Sequence, residues 1–318
     1  GRNLLRPIWK GGKGRNRLRP YQAMAIVPHN PYLKLAKLGD YLELVKFSHT
    51  IFALPFALAS MLLAKKGWPD TRTVGWILIA MVSARTAAMG YNRIVDRHLD
   101  AQNPRTQNRE IPAGKVSVGE AAMLVNFSTL LFLLAAWQLG NLTFWLAFPA
   151  LFVLFFYSYC KRFTSLAHFV LGLCLAIAPV GAWLAVRQRF ELPPIVLATA
   201  IMFWVAGFDI IYATMDVDFD RKMGLHSMVQ KFGIPAALAM ARFFHLLFVG
   251  LLFVFGQAMH LSIWFSCSVA LIALFLMYEH SIVNPNNLRR VNAAFFTVNG
   301  MISVLFLAVV MAEVFYLR

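Results

Sequence analysis

Long apolar stretches follow one another along almost the whole chain, separated by short polar segments. A helix needs about 20 apolar residues to cross a bilayer, and nine stretches come close to or exceed that length. They cover residues 45–65, 74–95, 118–138, 142–160, 165–187, 194–215, 235–258, 261–280 and 291–316. The pattern predicts an all-α polytopic membrane protein, a bundle of nine transmembrane helices around a central cavity.

Composition and charge agree with this pattern. Of the 318 residues, 59% are hydrophobic and 14% are charged, whereas a soluble domain carries about 25% charged residues. The net charge of +16 is unevenly placed: 22 of the 30 Lys and Arg residues fall in the N-terminal segment and the loops after even-numbered helices, against six on the other side. Because basic residues accumulate on the cytoplasmic side of membrane proteins, this distribution indicates a bilayer and a cytoplasmic N-terminus, and not a nucleic-acid partner.

Residues 1–40 are predicted to form a basic tail, and residues 41–318 a single membrane domain. The first twenty residues contain seven basic side chains and no acidic one. Such a segment is typical of a disordered tail that lies on anionic headgroups, or of the remnant of an Arg-rich transit peptide.

Two polar sets with the same four-residue spacing stand at the cytoplasmic ends of the second and sixth predicted helices. The first strip is Asn92, Asp96 and Asp100, and the second is Tyr212, Asp216 and Asp220. Four-residue steps keep side chains on one face of an α-helix, so each set is predicted to present its oxygen atoms in one direction. Oxygen ligands suit Mg²⁺ that is shared with a substrate phosphate.

Basic residues near both strips complete a predicted diphosphate site. The cytoplasmic loops supply Arg105, Arg109, Lys161 and Arg162. Arg85 and Asp209 each lie two helical turns before a member of a strip and therefore deeper in the membrane. An ionisable side chain is costly there unless it faces a polar cavity or a partner. These two residues are predicted either to line the substrate pocket or to pair with each other.

Acids, bases and apolar helices together predict a substrate with a diphosphate head and a lipid tail. Carboxylates would hold the metal, the metal would bridge phosphate oxygens, and Arg and Lys would neutralise the remaining charge. Loss of diphosphate from an allylic chain leaves a carbocation, which the aromatic faces of Tyr157 and Tyr212 could stabilise.

The segments that carry these residues resemble a known family. NRIVDRHLDAQNPRT and DIIYATMDVDFDRKMGLHS are similar to the two Asp-rich motifs of the UbiA superfamily of membrane prenyltransferases, and YSYCKRFTS resembles its Tyr-x3-Lys-Arg segment. The resemblance extends over about residues 40–316. It implies an intramembrane aromatic prenyltransferase, closest to 4-hydroxybenzoate polyprenyltransferases and their relatives in futalosine-route menaquinone synthesis.

The resemblance also implies a role for each matching residue. Mg²⁺ and diphosphate would be held by Asn92, Asp96, Asp100, Asp216 and Asp220. Phosphate or an acceptor carboxylate would be contacted by Arg85, Arg105, Arg109, Lys161 and Arg162. Tyr157 and Tyr212 would flank the allylic cation, and Asp209 would shape the acceptor pocket. Ser158 replaces a proline common in relatives and Phe219 replaces a common acid, so the identity of the acceptor stays open.

The predicted function is therefore Mg²⁺-dependent transfer of a polyprenyl group from an allylic diphosphate to a hydroxylated aromatic acid of the 4-hydroxybenzoate type, in quinone biosynthesis. A naphthoate acceptor in menaquinone synthesis is the alternative. A cation-coupled transporter would carry its acids nearer the membrane midplane, and a non-catalytic lipid-binding scaffold would not need two complete strips. A bacterial cytoplasmic membrane is the first expectation for location, and an organellar inner membrane is the second.

Overall fold

The computed structural model describes residues 31–45, 52–283, 288 and 291–317. Residues 1–30 of the predicted basic tail and residues 46–51 of the first predicted span lie outside the described residues. All regular structure in the described ranges is helical. The α-helices are α1 (Pro31–Leu44), α2 (Leu54–Lys65), α3 (Thr71–Gln102), α4 (Val118–Leu139), α5 (Asn141–Cys160), α6 (Ala167–Arg187), α7 (Leu192–Ala213), α8 (Val217–Lys222), α9 (Met228–Phe232), α10 (Ile234–Ala258), α11 (Ile263–Ile282), α12 (Val291–Ala293) and α13 (Asn299–Phe315).

Eight helical segments of the described chain are long and apolar enough to cross a membrane. They are α3 to α6, the run from Leu192 to Lys222, α10, α11 and Phe295–Phe315. The shorter α2 falls within the first predicted span. The prediction of an all-helical polytopic membrane protein is confirmed.

Helix α3 is long enough to carry polar groups out of the apolar layer. It begins at the cap residue Asp70, whose side chain accepts a hydrogen bond of 2.9 Å from the Thr73 amide. Its 32 residues correspond to about 48 Å at 1.5 Å per residue, whereas the hydrocarbon core is about 30 Å thick. The last turns of α3, which contain Asp96 and Asp100, therefore reach the membrane face.

The core of the bundle is formed where α7 packs against α6 and α10. Trp204 on α7 is fully buried and packs against the rings of Phe56 and Phe248. On the other side, Gly172 of α6 lies so close to α7 that a Cβ atom there would be 2.4 Å from the Met202 carbonyl oxygen. A glycine is needed at this crossing because the two backbones approach too closely for a side chain.

An apolar cavity of about 600 Å³ lies between α3, α4, α5, α6 and α7. Arg85, Asn92 and Tyr157 are among its lining residues at the end near the first strip. The lining continues along α3 to Ile77, fifteen residues from Asn92, or about 22 Å by helical rise. The cavity thus extends from the polar face of the bundle through most of an apolar layer that is about 30 Å thick.

Candidate active site

The first strip has the geometry expected of a continuous helix, and cations from two other segments bond to it. Asn92 Nδ2 donates to Asp96 Oδ2 over 3.0 Å. Arg162, just after α5, donates from Nη2 to Asp96 Oδ1 over 2.9 Å. Arg109, in the loop after α3, donates from Nη1 to Asp100 Oδ1 over 2.7 Å. The strip is therefore a row of carboxylates that is already matched to basic side chains.

The second strip does not lie on one continuous α-helix, which corrects the expectation from its spacing. Helix α7 ends at Ala213, a 3₁₀ turn covers Thr214–Asp216, and α8 follows. The hydroxyl of Thr214 donates to the Ile211 carbonyl over 2.6 Å and so competes for an acceptor that the next α-helical turn would use. The tighter 3₁₀ winding turns Asp216 away from the regular four-residue register. Asp216 and Asp220 are nevertheless both buried, whereas Asp218 is exposed.

The loop after α3 joins the two strips. Arg105 donates from Nε to Asp216 Oδ1 over 2.8 Å, and its Nη2 bonds the other oxygen of the same carboxylate. The Nη1 of Arg105 donates to the Tyr212 hydroxyl over 2.9 Å, and Asn103 Nδ2 donates to Asp216 Oδ1 over 3.2 Å. The acids that are 120 residues apart in the sequence therefore belong to one site.

Two cations in this site keep their charge although they are partly buried. Burial lowers the pKa of Lys161, but the carboxylates of Asp209, Asp220, Asp216 and Asp96 outweigh it and raise the pKa above its usual value. Burial likewise lowers the pKa of Arg105, and the hydrogen bond and charge of Asp216 reverse the effect. Both side chains therefore stay cationic at neutral pH, as neutralisation of a diphosphate requires.

One carboxylate oxygen in each strip is buried without a hydrogen-bond partner among the described residues. These atoms are Asp100 Oδ2 and Asp220 Oδ2. A buried charged oxygen without a partner is costly, and a bound cation would satisfy it. Within the described residues, no three His, Cys, Asp or Glu side chains converge as a metal site. The site therefore fits a hard cation, such as Mg²⁺, that takes only one or two carboxylates and completes its shell with phosphate oxygens.

The predicted site residues that lie deeper in the membrane occupy two different positions, one at the apolar cavity and one beside His168. Arg85 and Tyr157 line the apolar cavity together with Asn92. Asp209 bonds His168 instead, with 2.6 Å between Oδ2 and Nδ1. Asn92 both lines the cavity and bonds Asp96, so the acidic site opens onto the cavity. Tyr212 packs against Phe295, with ring centroids 4.3 Å apart.

Two residues of the site were not recognised in the sequence. Asn103 stands in the quoted motif but was assigned no role, although its amide bonds Asp216. His168 is a single polar residue at the start of an apolar helix, and such a residue is most often a packed core histidine. No sequence signal connects it with Asp209, because the two lie on different helices, 41 positions apart.

Known proteins resemble the chain over most of its length. The model of the UbiA prenyltransferase family matches residues 53–308. A 4-hydroxybenzoate octaprenyltransferase from Neisseria gonorrhoeae is 28% identical over 294 residues, which cover 90% of this chain and 98% of that protein. A 4-hydroxybenzoate octaprenyltransferase from Vibrio cholerae is 32% identical over 200 residues, which cover 62% of this chain and 70% of that protein.

Solved structures share the fold. The apo structure of a UbiA homolog from Aeropyrum pernix K1 has a TM-score of 0.76 and 32% sequence identity, covering 83% of this chain and 98% of that one. A UbiA homolog from Archaeoglobus fulgidus bound to DMAPP and Mg²⁺ has a TM-score of 0.70 and 23% identity, covering 86% of this chain and 99% of that one. At that lower identity the likeness concerns the fold.

Proposed function

Because this chain belongs to the UbiA prenyltransferase family, we propose that it transfers a polyprenyl group from an allylic polyprenyl diphosphate to a hydroxylated aromatic acid of the 4-hydroxybenzoate type. The names of its relatives, which are 4-hydroxybenzoate octaprenyltransferases, support this acceptor. The binding of DMAPP and Mg²⁺ by the Archaeoglobus fulgidus homolog supports the donor and the metal.

The position of Asn92 is the observation that carries this proposal. Its side chain bonds Asp96 in the acidic site and also lines the apolar cavity. A molecule with a charged head and an apolar tail can therefore place the head among the carboxylates and arginines while the tail enters the cavity. Neither a small polar substrate nor a plain lipid would use both parts.

The acidic strips would hold Mg²⁺ ions through Asp96, Asp100, Asp216 and Asp220, with one or two of these carboxylates on each ion and Asn92 as a further oxygen ligand. When bound, Mg²⁺ neutralises charge on the diphosphate and makes it a better leaving group. Arg105 and Arg109 now bond carboxylates, and in the loaded site they would turn part of their donor capacity to phosphate. Lys161, Arg162 and Arg85 are the remaining cations proposed to stabilise the phosphate or an acceptor carboxylate.

The protein stabilises the charge that develops on the diphosphate, orients the substrates and excludes water from the reaction. The bond between the allylic carbon and the diphosphate oxygen breaks, and the electron pair leaves with the diphosphate, where fixed cations stabilise it. Tyr157, at the end of the cavity, and Tyr212 would present their rings to the allylic cation. An electron-rich ring carbon of the acceptor attacks, a carbon–carbon bond forms, and the ring proton is lost with the departing diphosphate. The apolar cavity keeps water from capturing the cation.

The charge distribution supports a cytoplasmic position for the acidic site, because most Lys and Arg residues lie on the same side of the membrane as this site. We place the protein in a bacterial cytoplasmic membrane, with residues 41–318 as the catalytic domain and residues 1–40 as a membrane-surface tail.

The proposal is tested by incubating purified protein with Mg²⁺, geranyl diphosphate and either 4-hydroxybenzoate or 1,4-dihydroxy-6-naphthoate. Mass spectrometry should detect geranylated 4-hydroxybenzoate. If only the naphthoate is prenylated, the proposed transfer reaction stands and the acceptor is a naphthoate, not 4-hydroxybenzoate. No product with either acid, from protein that binds geranyl diphosphate, would contradict transfer to an aromatic acid of either kind.

A further inference from the structure

His168 is a buried histidine that the proposed reaction has not yet used. It stands in the first turn of α6 and has no solvent-exposed surface. Its Nδ1 lies 2.6 Å from Oδ2 of Asp209 on α7. A contact this short between a fully buried ring and a carboxylate that is 14% exposed is a strong, specific interaction.

The other ring nitrogen fixes the direction of this hydrogen bond. The Met228 amide donates to His168 Nε2 over 3.4 Å, so Nε2 is an acceptor and carries no proton. The ring therefore donates from Nδ1 to Asp209 Oδ2. Asp209 is therefore held by a hydrogen bond from His168, and Lys161 lies near enough to interact with it electrostatically.

Met228 connects this pair to the second strip. It is the first residue of α9, in the segment that follows Asp220. The neighbouring His226 amide donates to the Lys161 carbonyl over 2.7 Å, which fixes the same segment to the loop after α5. His168 thus bonds Asp209 on one side and the segment after Asp220 on the other.

We propose that His168 is a positioning residue, which holds Asp209 so that its second oxygen can accept a hydrogen bond from the hydroxyl of the aromatic acceptor. Among the described residues, no hydrogen bond reaches Oδ1 of Asp209, whereas Oδ2 is occupied by His168. This inference rests on the proposed prenyl transfer. It assigns to His168 a much larger effect on the acceptor than on the prenyl diphosphate.

Steady-state kinetics with both substrates test the assignment. His168→Phe removes both hydrogen bonds and keeps a ring, so the acceptor KM should rise about tenfold to a hundredfold, the range expected for a lost hydrogen bond to a charged group. The KM for geranyl diphosphate should stay within about twofold, because the charged groups that bind it are unchanged. His168→Asn retains an amide donor near the position of Nδ1, and it should recover most of the lost affinity for the acceptor.

A matched control is available in the same bundle. His245 is also buried and bonded through both ring nitrogens, to His280 over 2.9 Å and to the Trp204 carbonyl over 3.2 Å. His245→Phe should lower stability and leave the ratio of the two KM values unchanged. If His168→Phe does not fold, His168→Asn decides: a tenfold rise in its acceptor KM would overturn the proposal.

A double-mutant cycle separates positioning from general loosening of the structure. Acceptor binding is measured for His168→Phe, Asp209→Asn and the double variant. Positioning predicts that His168→Phe has little further effect once Asp209 is replaced, because neighbouring groups on one path are not additive. Fully additive losses, or equal losses for both substrates, would overturn it. A wild-type protein that forms no product refutes the proposed function instead, so the two failures are distinguishable.

Discussion

Arg105 and Asp216 form the contact that unites the two acidic strips. The guanidinium bonds both oxygens of the carboxylate, and only 9% of the Asp216 side chain is exposed. A planar guanidinium is suited to this two-point contact, and lysine is not. The loop after α3 is thereby held against the start of α8, where a diphosphate would meet both strips at once.

Replacement of Arg105 should therefore weaken the reaction in graded steps. We expect Arg105→Ala to lower kcat/KM for the prenyl diphosphate at least about 100-fold, the loss typical of a removed charge-stabilising donor. Arg105→Lys should fall between this variant and the wild type, because it retains the charge and loses the two-point contact. Arg72→Ala is the control, since Arg72 is exposed and donates to Gln138 over 2.8 Å. Equal kinetics for Arg105→Ala and Arg72→Ala would contradict the role.

Asp220, whose Oδ2 atom has no hydrogen-bond partner among the described residues, is expected to be a Mg²⁺ ligand. Asp220→Asn preserves the shape of the side chain and removes its charge, so the Mg²⁺ concentration for half-maximal activity should rise about tenfold or more, as expected for a lost charged ligand. Asp218→Asn is a close control, because Asp218 is on the same short helix and exposed. A Mg²⁺ titration in detergent checks both variants. The same Mg²⁺ requirement in the two variants would show that Asp220 is not a ligand.

The crossing of α6 and α7 should be intolerant of a single methyl group. Gly172→Ala would place its Cβ 2.4 Å from the Met202 carbonyl, and such overpacking costs about 1–3 kcal/mol. The melting temperature of the variant should fall. Gly250→Ala on α10 has no atom within 4 Å of the added Cβ, so it should be neutral or slightly stabilising, by up to about 1 kcal/mol. Unchanged melting of Gly172→Ala would mean that the two helices separate more easily than the packing indicates.

Filling the apolar cavity should discriminate between donors of different length. Ala150 lines the cavity on α5, seven residues from Tyr157, or about 10 Å by helical rise. Ala150→Phe should lower kcat/KM for long prenyl diphosphates much more than for geranyl diphosphate, whose shorter tail ends sooner. Leu134→Phe, at an exposed position on α4, should change neither. Equal losses for long and short donors would place the tail elsewhere.

Local patterns in the sequence predicted the spans and the two acidic strips, because apolar length and four-residue spacing are properties of single helices. The contacts between segments were not predictable in this way. Arg105 was identified as a phosphate ligand, but its bond to Asp216 depends on how the loop after α3 folds. A 3₁₀ turn covers Thr214–Asp216, whereas a spacing rule assumes a regular helix. The pairing of His168 with Asp209 joins two different helices, α6 and α7, and depends on how these helices pack.

Product formation by carboxamide variants of one acid from each strip tests the central claim most directly. Asp96→Asn and Asp216→Asn would be incubated with Mg²⁺, geranyl diphosphate and 4-hydroxybenzoate, and the geranylated acid would be quantified by mass spectrometry beside the wild type. We predict that wild-type protein forms the product and that each variant, although folded by its melting profile, loses at least about 99% of the activity, as expected when a charge-stabilising group is removed. Full activity in either folded variant would contradict the assignment of both strips to one diphosphate site.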